Sequence, residues 1–203
     1  MKIFCIGLNY ANHISEMKWA KVPDIVVFMK PETALLKNND AFYYPDFTKL
    51  IHHETELVIK INKPGKKIQK QFAHKYYDEI GIGIDFTARD IQKKFKEKGL
   101  PWEKAKGFDG AAPISKFINK NKFADLNNIN FQMKLNGKLT QQGNTKDLLN
   151  SFDDLIVHLS KYFTFKKGDL IYTGTPEGVG PVKIGDRIQA YIEQEEMLNF
   201  EIK

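Results

Sequence analysis

Residues 52–61 read His52-His53-Glu54-Thr55-Glu56-Leu57-Val58-Ile59-Lys60-Ile61. In an extended chain successive side chains point to opposite faces, so Glu54, Glu56, Val58 and Lys60 share one face and Leu57, Ile59 and Ile61 the other. Glu54–Ile61 therefore reads as a strand that is apolar on both faces at one end and carries two adjacent carboxylates at the other. Neighbouring like charges repel, and a hard divalent cation would relieve the repulsion by taking both as oxygen donors. A solvated strand end with Lys60 nearby fits the spacing equally well, so spacing alone leaves both readings open.

Upstream, Lys2–Ile6 reads as a short strand closed by a Gly7–Asn9 turn, and Asn12–Met17 as a brief helix. Asp24–Met29 is a strand-type run ending at Pro31, and Phe42–Tyr44 pairs briefly before Pro45. Downstream, the Asn62–Lys67 segment around Pro64-Gly65 is a turn, Phe72–Tyr77 has a helical pattern, and Ile80–Asp85 is an apolar run broken by two glycines. Thr87 and Asp90 match a capping box with Asp in place of Glu or Gln. They predict a helix through Lys98 that buries Ile91 and Phe95 and stops at Gly99-Leu100-Pro101. Asn136-Gly137, between Phe131–Leu135 and Lys138–Gln142, is a strong hairpin signal. Ser151 caps a helix of about twelve residues with Leu155, Ile156, Leu159 and Phe163 on one side. Asp169–Tyr172, Arg187–Ile192 and Leu198–Ile202 complete the strands. Many short strands and few helices predict an α+β, mainly β, fold. With no internal repeat and no Gly/Ser-rich linker, residues 1–203 are expected to form one domain.

The composition, 42% hydrophobic and 28% charged over 203 residues, is that of a globular protein. The formal net charge is +6, but the lysines are scattered. Lys60, Lys63, Lys66, Lys67 and Lys70 gather near one turn, and Lys93, Lys94, Lys96 and Lys98 on one helix. Solvated faces are expected, with no nucleic-acid partner, and a field that draws small anions. Cys5 is the only cysteine, which excludes an intramolecular disulfide framework and a thiolate zinc cluster. It sits in the apolar run Ile3–Ile6 and is expected to be a buried structural thiol. Met1–Leu8 lacks a leader layout, and no apolar run approaches the ~20 residues that span a bilayer. A cytoplasmic protein, or one inside an organelle after trimming, with no membrane partner is expected.

Four further features carry chemistry. Asp85 ends an apolar strand, and with the capping box explaining Thr87 and Asp90 it is left without a structural task. With Glu54 and Glu56 it makes three carboxylates, a donor set suited to magnesium or manganese. Alone it is equally a turn-starter. His13 and Glu16, three apart, share a helix face and can relay a proton to deprotonate water, or form an ordinary exposed pair. Trp102-Glu103-Lys104-Ala105-Lys106-Gly107-Phe108-Asp109 sets lysines among aromatic residues and glycine, where one can neutralise a substrate carboxylate or simply flank an apolar anchor. Thr173-Gly174-Thr175-Pro176-Glu177-Gly178-Val179-Gly180 follows a strand and offers N–H groups and hydroxyls to a carboxylate. No Gly-Lys-Ser/Thr follows it, and Gly81-Ile82-Gly83 lacks the third glycine of a dinucleotide fingerprint, so nucleotide binding is disfavoured.

Together these blocks resemble the fumarylacetoacetate hydrolase family, most closely its short acylpyruvase and oxaloacetate decarboxylase members. The likeness runs through Gly7-Leu8-Asn9-Tyr10-Ala11-Asn12-His13 with Glu16, Phe28-Met29-Lys30-Pro31, His53-Glu54-Thr55-Glu56-Leu57 and Asp85-Phe86-Thr87-Ala88-Arg89-Asp90 with Gln92. It continues through Trp102, Lys106-Gly107-Phe108-Asp109, Asn136-Gly137, Gln142-Gly143-Asn144-Thr145, Gly168-Asp169 and Thr173–Gly180. The resemblance implies a mixed, partly barrel-like roll of strands, usually a homodimer. It implies that Glu54, Glu56 and Asp85 ligate Mg²⁺ or Mn²⁺, that His13 and Glu16 form a dyad on a lid, and that Lys106 faces a keto-acid substrate. Arg89, Gln92 and Thr175 would orient its carboxylate or the supporting groups. Two departures stand out. The N-terminal extension of larger relatives is absent, which favours small substrates, and Tyr191–Lys203 carries Gln194-Glu195-Glu196 where a glycine-containing turn is expected. The implied activity is cleavage of small 2-keto acids, by acylpyruvate hydrolysis or oxaloacetate decarboxylation through a pyruvate enolate that the cation stabilises as a Lewis acid. Isomerisation of an unsaturated dioate of the 2-hydroxyhepta-2,4-diene-1,7-dioate type is the alternative, and a non-catalytic metal- or ligand-binding relative is a third reading.

Overall fold

The computed structural model describes residues 1–11 and 24–203. The strand expected at Glu54–Ile61 begins one residue later, at Thr55, and a separate short strand, Ile51–His53, precedes it. Thr55–Ile61 lies inside a six-stranded sheet, ordered Val26–Lys30, Ile3–Gly7, Leu170–Tyr172, Thr55–Ile61, Tyr77–Ile84 and Ile118–Asn119. Ile51–His53 belongs to a three-stranded sheet, between Gly180–Val182 and Thr87–Ala88. A four-stranded antiparallel sheet, ordered Lys138–Asn144, Asn130–Leu135, Arg187–Ile192 and Glu195–Glu201, packs beside them, and Leu35–Leu36 pairs with Ala112–Pro113. The mainly β expectation holds, as several sheets that do not close into a barrel.

One register runs across the junction of the first two sheets. Thr55 faces Ile84 on one side and His52 faces Thr87 on the other, which sets Glu54 opposite Asp85. Ladder pairing lapses there, and a single bond from Asp85 N–H to the Glu54 carbonyl, 2.8 Å, ties the two chains. Directly opposed residues share a face. The face of Glu54 and Asp85 therefore carries Glu56 with Gly83 opposite, Val58 with Tyr172 opposite, then Cys5 beside Tyr172 and Phe28 beside Cys5. Lys30, two along from Phe28, ends the row. The back of the sheet, with Leu57, Ile59 and Ile61 fully buried, joins the main core.

The local signals that depend on nearest neighbours hold. Asn136 and Gly137 both have positive φ, 53° and 78°, as a tight two-residue hairpin requires. Ser151 and Asp154 form a reciprocal capping box on helix Phe152–Tyr162. Glu193, at φ 50°, turns the last hairpin without glycine, and Ile192 pairs with Glu195.

Two expectations fail. The helix placed at Phe72–Tyr77 is Lys70–Ala73; Phe72 is exposed, whereas Tyr77 is buried at the start of a strand and packs edge-on against Phe152. Helix Arg89–Glu97 has no capping box, for its N-cap residue is Ala88 and makes no side-chain cap bond. Thr87 is a bridge-strand residue whose hydroxyl points inward, and Asp90 accepts from the Thr48 hydroxyl (2.5 Å) and Lys49 N–H (3.2 Å). Ile91 and Phe95 are only half-buried; the buried residue of that helix is Gln92. No helix among the described residues is long and apolar enough to cross a membrane.

Candidate active site

The junction collects the carboxylates. Glu54, Glu56 and Asp85 are all buried, and each offers an oxygen within 4.8 Å of the others. Glu54 is held from three sides. Arg89 Nη2 reaches its Oε1 at 2.5 Å, the Thr87 hydroxyl donates to the same oxygen at 3.1 Å, and Lys106 Nζ reaches Oε2 at 2.8 Å. Asp85 lies between two ammonium groups, Lys106 at 2.7 Å from Oδ2 and Lys30 at 2.7 Å from Oδ1. Glu56 accepts the backbone N–H of Gly174 at 2.7 Å. The glycine is needed there: its φ is +104°, and a Cβ would stand 2.7 Å from Asn9 Cβ.

Burial pushes the Glu56 carboxyl well above its usual range, the negative charge of Asp85 adds to the rise, and the Gly174 bond opposes it. For Lys106, burial alone would lower the pKa, but the charges of Asp85 and Glu54 outweigh it and the ammonium is favoured. Burial lifts the thiol of Cys5 and the phenol of Tyr172, which lie on the same sheet face, so both stay neutral. Cys5 is thus the inert buried thiol expected of its position.

Three oxygen donors converging in a buried cluster fit a hard divalent cation. Beside them is a small cavity of about 20 Å³, close to the room of one water molecule. Its polar lining includes Gln92, Lys106 and Thr175, and its apolar walls include Ile6, Leu8, Phe28 and Trp102. Leu8 has φ 61°, an unusual conformation for a large side chain. Asn9 fixes it by bonding Thr173 O (2.8 Å) and Asn150 O (3.1 Å) through Nδ2 and accepting from Asn150 N–H (2.9 Å). Among the described residues, wider recesses of about 330, 640 and 560 Å³ lie elsewhere and gather no such set of carboxylates.

The profile of the fumarylacetoacetate (FAA) hydrolase C-terminal family matches residues 2–202. The chain belongs to this family. It is 39% identical to oxaloacetate tautomerase FAHD1, mitochondrial, of Bos taurus over 201 residues, covering 99% of this chain and 91% of that protein. It is 41% identical to oxaloacetate tautomerase YcgM of Escherichia coli over 188 residues, covering 92% and 86%. Fumarylpyruvate hydrolase from Pseudomonas aeruginosa, solved in complex with Mn²⁺ and pyruvate, superposes with a TM-score of 0.94 at 32% identity, covering 100% of this chain and 89% of that one. Members of this family are enzymes, and in this chain the buried carboxylate cluster offers three oxygen donors that could hold a metal ion.

The structure thus brings together Glu54, Glu56, Asp85, Arg89, Gln92, Lys106 and Thr175. Arg89 Nη1 donates to Gln92 Oε1 at 2.6 Å, which links helix Arg89–Glu97 to Glu54 through one guanidinium. Lys106 sits in the short helix Glu103–Lys106, and its Nζ lies 5.0 Å from the Phe28 ring centroid. His13 and Glu16 lie outside the described residues. Two partners were not singled out from sequence. Lys30, fully buried, donates also to the carbonyls of Ala111 (3.0 Å), Phe86 (3.2 Å) and Lys106. Its signal was a lysine closing an apolar strand, two places from Phe28 and so on the same face. Thr87 was hidden by its match to a capping pattern.

Proposed function

We propose that this chain is a divalent-metal-dependent enzyme of small 2-keto acids, whose reactions run through the enolate of a 2-keto acid. The observation that carries the reading is the cluster of Glu54, Glu56 and Asp85, faced by Lys106 and lined by apolar side chains on one side. Mg²⁺ or Mn²⁺ held by those carboxylates would act as a Lewis acid toward the carboxylate and keto oxygens of the substrate. The Lys106 ammonium, kept charged by Asp85 and Glu54, supplies positive charge where the enolate oxygen develops. Arg89 and Gln92 brace one side of the cavity and Thr175 offers a hydroxyl from the other. Phe28 and Trp102, with ring centroids 5.9 Å apart, keep that side dry, which strengthens each charge interaction inside.

Keto–enol exchange of oxaloacetate needs only a proton moved at the carbon beside the keto group. Decarboxylation instead breaks the bond to the distal carboxylate, releases CO₂ and leaves the enolate of pyruvate, which acylpyruvate cleavage also yields. Acylpyruvate cleavage needs in addition a water deprotonated near the distal carbonyl, the role assigned to His13 and Glu16. The curated relatives named as oxaloacetate tautomerases and the fumarylpyruvate hydrolase solved with pyruvate support this common chemistry. A second reading, isomerisation of a dioate, is favoured by the likeness to 2-hydroxyhepta-2,4-diene-1,7-dioate isomerase of Mycobacterium marinum, TM-score 0.86 at 31% identity, covering 99% of this chain and 73% of that one. The homodimer implied by the family resemblance belongs to the same proposal and is checked by sedimentation.

The deciding experiment incubates purified protein with Mg²⁺ or Mn²⁺ and follows enol loss and CO₂ release from oxaloacetate, cleavage of acetylpyruvate, and isomerisation of a hydroxy-dienoate. Acceleration of one or more is expected, lost on chelation. No acceleration of any with either metal would sink the proposal.

A further inference from the structure

Gln141 lies on the edge strand of the four-stranded sheet, is 1% exposed, and bonds to both neighbouring elements of the site. One end of its amide takes the Thr55 backbone N–H at 3.0 Å and the Nδ1 of His53 at 2.9 Å; the other reaches the Pro176 carbonyl at 3.0 Å and Thr175 Oγ1 at 2.8 Å. Two of those four partners have no choice of role. A backbone N–H can only donate and a carbonyl can only accept, so the first end must be oxygen and the second nitrogen. Two consequences follow by elimination. His53 carries its proton on Nδ1, and Thr175 Oγ1 accepts from Gln141.

The hydroxyl of Thr175 keeps its own proton to donate. Among the described residues its other acceptor in reach is the Pro176 carbonyl at 3.5 Å, at the outer limit for a hydrogen bond and already bonded by Gln141. Thr175 also lines the cavity with Glu54, Glu56, Asp85 and Lys106. We propose that Gln141 is a positioning residue that fixes the Thr175 hydroxyl as a hydrogen-bond donor toward the substrate carboxylate. The inference rests on the keto-acid reading above. It explains why an amide is needed: a carboxylate at the same place would accept from Thr175 and draw the proton away from the ligand.

The test is a double-mutant cycle on the full-length protein at saturating Mg²⁺, with Gln141→Glu, Gln141→Met and Thr175→Val, and KM and kcat read separately. Thr175→Val is expected to raise KM about tenfold or more, as loss of a hydrogen bond to a charged group does. Either Gln141 variant raises KM comparably with kcat little changed, and neither adds to Thr175→Val. Thr175→Ser, which keeps the hydroxyl, stays near the parent. An unchanged KM in a folded Gln141 variant, or effects that multiply in the double variant, would overturn the proposal. Should neither Gln141 variant fold, ¹⁵N NMR of histidine in the unaltered protein still decides: His53 protonated at Nδ1 alone supports the assignment, and protonation at Nε2 alone overturns it. If the unaltered protein turns over no keto acid, the proposed function fails by itself. Calorimetric binding of pyruvate with Mg²⁺ then carries the same cycle.

Discussion

Replacing Lys30 with methionine keeps the stem of the side chain and removes only its ammonium. In the folded protein that group lies 2.7 Å from Asp85 Oδ1, is fully buried, and donates to the carbonyls of Phe86, Lys106 and Ala111. Asp85 would retain Lys106 on its other oxygen, also at 2.7 Å. Stripping one partner from a buried ion pair costs about 3–5 kcal/mol, because the remaining charge stays desolvated. Each carbonyl left without its donor adds about 1 kcal/mol, and the apolar methionine end returns part of this. A net loss of about 3 kcal/mol or more is expected, a large share of the 5–15 kcal/mol typical of a domain. Urea unfolding at neutral pH reads it as a midpoint lowered by about 1 M or more. Asp85→Asn removes the charge from the other side, so the double variant should be less destabilised than the two single losses added together. Added Mg²⁺ should recover part of the Lys30→Met deficit, since a cation that binds the folded state supplies positive charge to the same carboxylate. A Lys30→Met variant within about 1 kcal/mol of the parent, or strict additivity with Asp85→Asn, would refute the idea that this pair holds Asp85 in place.

Gly83 faces Glu56 across the ladder, and a Cβ there would stand 2.5 Å from Cε1 of Tyr172. That ring is fully buried and its hydroxyl donates to Pro113 O at 3.1 Å, so it cannot retreat. Gly83→Ala is therefore expected to cost about 1–3 kcal/mol in thermal or urea unfolding. Ser151→Ala, remote from the site, removes one half of the capping box and should cost about 1 kcal/mol with activity at saturating substrate unchanged. Mg²⁺ or Mn²⁺ should raise the melting temperature of the chelator-treated protein, and Glu56→Gln should abolish most of that rise; an undiminished rise would remove Glu56 from the ligand set.

What was legible in the sequence was what depends on close neighbours. Asn136-Gly137 and Ser151 with Asp154 dictate their turn and cap through backbone geometry within four residues, and the structure agrees. The alternation after Glu54 gave the strand and its face. The junction was not legible, because the place where one strand pair passes from one sheet to another is set by which distant segments flank it. Leu170–Tyr172 flanks Thr55–Ile61 on one side of the break, and Gly180–Val182 flanks Ile51–His53 on the other. Asp85 was reached through a false premise, since Thr87 is no cap but a donor to Glu54. Gln141 was passed over for a different reason. It is a polar residue on a strand 86 positions from Thr55 in sequence, and no local pattern tells that its four bonds converge on one site.

The junction also explains why carboxylates can sit there at all. In a continuous ladder Glu54 and Asp85 would be flanked by paired backbone with little room for large cationic partners. Where the pairing lapses, Arg89 and Lys106 enter from one side and Lys30 from the edge strand, so Glu54 and Asp85 each meet two basic side chains. Glu56 lies within the regular ladder and, among the described residues, forms no ion pair; its bond is to the N–H of Gly174. Compensation within the cluster is thus uneven. The carboxylate without a described ion pair is also one that burial and the charge of Asp85 press toward its protonated form. Lys106 offsets part of that pressure from a distance, and an added dication bound directly to Glu56 would relieve the rest.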